Sequence, residues 1–412
     1  MRKNIISCII VLLLLLSGCQ NNTPGTTTDP ANTDDTLQFD AEKNAQNKYV
    51  MLQGGGFDFQ ETDGFFIGKT TFSDYLQYYD KASGISGVLC ADPSCAHDSE
   101  SCGAYTDENR SSLSYYDGKL YRVDGDGSDF RKEYLWQSDL SGMNRKKIME
   151  IPRDEITMPY QPQQFMIHQG KLYIVGSASV VDGTQIGTRQ SLLSRSLSGD
   201  EGFTTVYDEV CPEGSWVTYR FVGGYIYISV ITSKDLTSFD LIVTKVDIQT
   251  NASKVVYQET GMPKAPGKLW VTEDHGLYLS GSTDEKAYLW KIENGSKREI
   301  TSWPADEVKD PVVMDGIAIL MTRDENKIRH IDIRDFEGKT IYSGKLFTEE
   351  IAGLGKDPNT YSIGLVGGDA EKLIFELNGE EGTKLDSKSV RYFVMLDIKD
   401  NLKATILWSS EE

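Results

Sequence analysis

The feature that most constrains this chain is a repeat. A turn, with glycine in six of its seven copies, leads at once into a short apolar or aromatic run. The copies are Asp63-Gly64-Phe65-Phe66-Ile67, Asp117-Gly118-Lys119-Leu120-Tyr121, Gln169-Gly170-Lys171-Leu172-Tyr173, Gly223-Gly224-Tyr225-Ile226-Tyr227, His275-Gly276-Leu277-Tyr278-Leu279, Asp315-Gly316-Ile317-Ala318-Ile319 and Glu371-Lys372-Leu373-Ile374-Phe375. From Gly64 to Glu371 the steps are 54, 52, 54, 52, 40 and 55 residues. A recurring period of this size marks an array of supersecondary units. Each unit continues with a second apolar run, such as Tyr134-Leu135-Trp136 or Tyr288-Leu289-Trp290. A hairpin signal follows, such as Ser141-Gly142 or Asn294-Gly295, and then a closing run such as Lys254-Val255-Val256-Tyr257. A further run precedes the turn, as in Phe165-Met166-Ile167-His168.

Four short strands per unit and no long helical pattern predict an all-β chain. One four-stranded sheet cannot bury both of its faces alone. Seven sheets arranged radially cover one another and leave only short edges. The expected fold is therefore a β-propeller of seven four-stranded blades over residues 48–412. A pair of β-sandwiches fits a period of about 53 residues poorly. The units run in phase from first strand to last, with no exchanged end strand to lock the ring.

The first residues read as an export signal. Arg2 and Lys3 precede the apolar run Ile5 to Leu16, and small residues follow it. The run is too short to span a bilayer comfortably. Leu16-Ser17-Gly18-Cys19 resembles a bacterial lipobox. The resemblance implies removal of residues 1–18 and diacylation of Cys19, and two acyl chains suffice for stable anchoring. Residues 19–47 then read as a disordered tether, rich in Thr, Asn and Asp and poor in apolar side chains. The expected location is the cell membrane, with the propeller facing the extracytoplasmic side.

Charge narrows the partners. Loss of Arg2 and Lys3 leaves 42 − 2 = 40 basic against 62 acidic residues, a balance of −22. Binding to nucleic acid needs clustered Lys and Arg, so nucleic acid is excluded. An acidic, solvated surface suits an exported protein.

The stretch Cys90-Ala-Asp-Pro-Ser-Cys95-Ala-His97-Asp-Ser-Glu-Ser-Cys102 is the densest chemical signal. It connects the last strand of the first unit to the first strand of the second. Cys211, the other cysteine after Cys19, falls in the matching loop position two units on, too far for a disulfide. Two readings stay open for the local four. Cys90, Cys95, His97 and Cys102 form a Cys₃His set suited to one structural zinc, with Asp98 as an outer partner. Alternatively, Cys90–Cys102 or Cys95–Cys102 forms a disulfide and leaves one thiol free, as export favours. Four protein ligands would leave a zinc no open position, so no catalytic metal is expected.

With the lipobox, polar tether, repeat and this segment together, the chain resembles a group of lipid-anchored, propeller-like surface proteins of monoderm bacteria. Members carry a similar Leu-Cys-x-x-x-x-Cys-x-His segment after an early hairpin, here Leu89 to His97. The resemblance implies architecture and address and carries no activity.

Other candidates read as structural. Asp124-Gly125-Asp126-Gly127-Ser128-Asp129 lacks the Gly and Glu positions of a calcium loop and reads as a solvated hairpin. Gly54-Gly55-Gly56 lacks the Lys-Ser/Thr of a phosphate loop. His168, His275 and His330 are scattered, and no catalytic serine or zinc-protease motif occurs. Trp136 and Trp290 read as core, whereas Trp216, Trp270 and Trp303 read as nearer loop edges and exposed. The functional expectation is a non-enzymatic binding or scaffold module for an extracytoplasmic protein or glycan. A glycan-active lyase or hydrolase is the alternative, and it would need paired carboxylates on the axial face.

Overall fold

The computed structural model describes residues 59–69, 73–106, 113–125, 132–151, 164–182, 185–233, 237–304, 310–381 and 388–411. The export signal, Cys19, the tether, residues 48–58 and Asp126 to Asp129 lie outside them. The described chain forms seven four-stranded antiparallel sheets, each built from four consecutive strands. The protein is thus an all-β, seven-bladed propeller. Among the described residues the helical structure is a short 3-10 turn at Pro358–Thr360.

The repeat turns explain how the strands reverse. In blades two and three the first turn places Asp117 at φ 49° with Gly118 at 73°, and Gln169 at 47° with Gly170 at 72°. Two consecutive positive φ values define the type I′ turn, whose twist matches that of the strands it joins. A second device recurs further out. Between the third and fourth strands the register slips at Leu135/Trp136, Leu192/Leu193, Val243/Thr244, Leu289/Trp290, Ile333/Arg334 and Phe393/Val394. Each slip adds twist to the outer edge of blades two to seven.

The first strands of blades one, two and three touch in turn, as do those of blades four, five and six, which places these strands innermost. Alternation sends one set of side chains to each adjacent blade. Tyr121 and Val123 in blade two pack with Phe165 and Ile167 in blade three, while Leu120 packs toward blade one. The core is therefore a set of interfaces between blades.

Among the described residues each sheet keeps its own four strands, and the first and last blades meet through side chains. Phe59 of blade one lies against Phe393 (5.9 Å) and Trp408 (5.6 Å) of blade seven. Beside them Glu61 bridges Lys372 of blade seven (2.9 Å) and Lys81 of its own blade (2.8 Å).

Candidate metal centre

The segment after blade one folds back on its own sheet. Leu89 N–H donates to the Leu76 carbonyl (2.8 Å), Leu76 N–H to Ala104 (2.9 Å) and Thr106 N–H to Asp74 (2.7 Å). Ala91 N–H reaches blade two and donates to the Ser141 carbonyl (3.1 Å). The segment is thus wedged between the first two blades. Two tight turns inside it each end on a cysteine. Cys95 N–H donates to the Asp92 carbonyl (3.1 Å) and Cys102 N–H to Ser99 (3.1 Å). The Asp92 carboxylate braces the first turn by accepting from Ser94 N–H (2.8 Å) and Ser94 Oγ (2.6 Å). Between the turns His97 adopts φ 55°, which turns its ring back toward the cysteines.

The result brings Cys90, Cys95, His97 and Cys102 together, with one ligand atom from each within 4.8 Å of all the others. His97 Nδ1 and Cys102 Sγ are 3.5 Å apart. A tetrahedral zinc, with Zn–S of about 2.3 Å and Zn–N of about 2.0–2.1 Å, keeps its ligand atoms about 3.5–3.8 Å apart. The donor set and its spread fit that ion. All four described cysteines are free thiols. Cys102 is buried and the other three ligands are half-buried. Burial raises the Cys102 thiol to about 11, with Cys95 and Cys90 adding to the rise. Burial also pushes Cys90 upward, but the Asp92 N–H and the neighbouring thiols outweigh it and lower its pKa. Several thiols crowd one site, and a divalent cation bound among them would hold them as thiolates. Asp98 is exposed and makes no hydrogen bond to His97 among the described residues, so it is not the outer partner expected.

Several supporting residues lie outside the motif. Gly103 and Gly142 meet across the blade boundary, where a Cβ on Gly103 would overlap the Gly142 carbonyl. A Cβ on Gly142, itself at φ +75°, would overlap the Leu89 carbonyl. Asp124 is not a solvated loop residue. It is buried in blade two and pairs with Arg122 (3.2 Å) and Arg145 (3.3 Å). Cys211 lies within the strand Thr204–Pro212 rather than in a loop, and its buried side chain packs with blades three and four.

No protein-family model matches the chain, and no curated protein matches it in sequence. Solved structures resemble it at low identity. The β-propeller domain of the Trilobed protease from Pyrococcus furiosus is 14% identical at a TM-score of 0.45, over 85% of this chain and 97% of that one. The periplasmic gluconolactonase PpgL of Pseudomonas aeruginosa is 12% identical at 0.44, over 84% and 95%. A puromycin hydrolase is 9% identical at 0.39, over 73% of this chain and 53% of that one, so the chain spans about half its length. Likenesses this distant say nothing of activity.

The remaining candidates are placed as follows. His168 is buried and its Nε2 bonds the Gly223 carbonyl of blade four (2.8 Å). Burial lowers its pKa to about 4. His275 stands edge-on to Tyr225, and His330 pairs with Asp324 (3.2 Å) at the surface. Trp216 is exposed as expected, at 47%. Trp270 and Trp303, expected at exposed edges, are buried. Arg220 covers the Trp270 ring, and Trp303 Nε1 donates to Asp332 of blade six (2.7 Å). Trp136 and Trp290 are half-buried beneath Arg145 and Lys297 rather than fully in the core.

Proposed function

We propose that this protein is a lipid-anchored, extracytoplasmic propeller acting as a non-enzymatic binding or scaffold module for a protein or glycan. One zinc, held by Cys90, Cys95, His97 and Cys102, is structural. The observation that carries the module reading is the use made of buried polar side chains on the inner strands. Gln60 donates to the Leu113 carbonyl of blade two (3.0 Å) and accepts from Tyr115 N–H (3.2 Å). His168 engages blade four, and Arg220 Nε donates to the Leu269 carbonyl of blade five (3.3 Å). These groups hold blade to blade, which suits a rigid scaffold presenting loops. Incubation with cell-wall polysaccharides should give retention without new reducing ends. New reducing ends would replace this reading with a glycan-active enzyme.

The anchor reading is supported by Leu16-Ser17-Gly18-Cys19. Fatty-acid labelling should mark the wild-type chain and not Cys19→Ser, which should leave the membrane fraction. For the zinc, native mass spectrometry should show one zinc above the denatured mass, with every thiol alkylated once unfolded. A mass short by two hydrogens and free of metal would identify a disulfide instead.

A further inference from the structure

Three thiolates and a neutral imidazole around a zinc leave one negative charge, since three negative charges face two positive ones. Even a partly buried net charge is costly unless a counter-charge lies beside it. Blade two supplies one. In its second strand, Lys119–Gly125, the side chains alternate, so Leu120, Arg122 and Asp124 share one face. Leu120 belongs to the same apolar cluster as Cys102. Tyr121 and Val123 turn to blade three. Arg122 therefore lies on the face of blade two that meets the Cys102 cluster, beside its cross-strand partner Leu113 of that cluster, and its side chain is only 5% exposed.

Arg122 shares its carboxylate partner with a second cation. Asp124 serves both Arg122 (3.2 Å) and Arg145 (3.3 Å), so one carboxylate faces two guanidiniums. Arg122 Nη2 and Arg145 Nε find no hydrogen-bond partner among the described residues. The two guanidiniums of blade two and the negative charge of a zinc–thiolate centre lie across the same boundary.

We propose that Arg122 is the counter-charge of the metal centre, a positioning residue that ties zinc occupancy to the docking of blade two on blade one. The inference deepens the zinc reading above and rests on it. Its test is a competition titration of the full chain in detergent against a chromophoric zinc chelator, with circular dichroism to check folding. Arg122→Met should weaken zinc binding roughly 10- to 100-fold, the usual cost of an outer partner. Arg122→Lys keeps the charge and should stay within about threefold of wild type. Asp124→Asn raises the local positive charge and should tighten binding several-fold. A purely structural role for the cluster predicts the opposite sign for Asp124→Asn. The proposal is overturned if Asp124→Asn weakens zinc binding, or if folded Arg122→Met binds as wild type does. If Arg122→Met does not fold, the direction given by Asp124→Asn decides. A wild-type chain that binds no zinc would remove the metal reading itself, and this proposal with it.

Discussion

Ring closure is the step of this fold most open to direct attack, because among the described residues no exchanged strand locks it. Phe59 is fully buried at the seam. Its ring contacts Phe66 at 5.6 Å, Phe393 at 5.9 Å and Trp408 at 5.6 Å. Phe59→Ala leaves a cavity walled by three aromatic rings that cannot readily collapse. Phe-to-Ala changes in cores cost about 3–5 kcal/mol, and aromatic pairing adds about 0.5–1.5 kcal/mol per pair, which places this site near 5. At about 2 °C per kcal/mol for a domain this large, Tm should fall by about 10 °C. Phe221→Ala is the matched control, equally buried but at the interface of blades three and four. Calorimetry should show comparable losses for the two variants. Hydrogen exchange should differ, accelerating in blades one and seven for Phe59→Ala and in blades three and four for Phe221→Ala. The reasoning fails if Phe59→Ala costs under about 2 kcal/mol, or if its exchange rises uniformly around the ring.

Three further outcomes are expected. Gly142→Ala, which would set a Cβ against the Leu89 carbonyl at a positive φ, should destabilise by about 1–3 kcal/mol and weaken zinc retention, measurable by denaturant melts and metal analysis. His168 has a folded pKa of about 4, below its unfolded value of about 6.5, so its contribution is complete above pH 6.5 and is lost as pH falls toward 4. Urea melts should therefore show about 2 kcal/mol lost by pH 5 relative to pH 7.5 from this group, a loss that His168→Gln should lack. Trp216, half exposed and stacked on Phe239 at 6.4 Å, should be quenched by acrylamide more readily than buried Trp270, Trp303 or Trp408, as single-tryptophan variants would show.

What the sequence made legible was local. Glycine-bearing turns and period-two runs are written within a few residues, so seven blades and their phase could be read directly. The four candidate ligand positions fall within thirteen residues, and two tight turns bring them together. What stayed hidden depends on partners far along the chain. Trp303 is buried because Asp332, 29 residues on, accepts its N–H. Asp124 sits among Gly and Asp residues that signal a loop. The strand extends to Gly125 instead, and Arg145, 21 residues away, comes to meet its carboxylate. Cys211 looked like a loop residue because blade three is longer than its neighbours, with strands of 12 residues at Lys171–Asp182 and Gln185–Ser196.

Blade one shows why a metal would be useful where the motif lies. Its third and fourth strands, Gln77–Asp80 and Ser86–Val88, have 4 and 3 residues, against 9 and 10 in blade four. So small a sheet has few ladder bonds and little apolar face with which to hold its place. Both of its flanks carry extra devices, the aromatic seam with Glu61 toward blade seven and the cysteine-rich segment toward blade two. With the proposed zinc in place, undocking blade one requires both flanks to give way. Chelation should therefore speed amide exchange in blade one and in residues 89–106, and Phe59→Ala should speed it in blade one as well. The two effects on the free energy of blade-one opening should add, because the anchors lie on opposite flanks of the blade in separate clusters. Blade four should respond to neither. If chelation accelerated blades one and four alike, the centre would be governing the whole ring, and its reading as a local anchor for the weakest blade would be wrong.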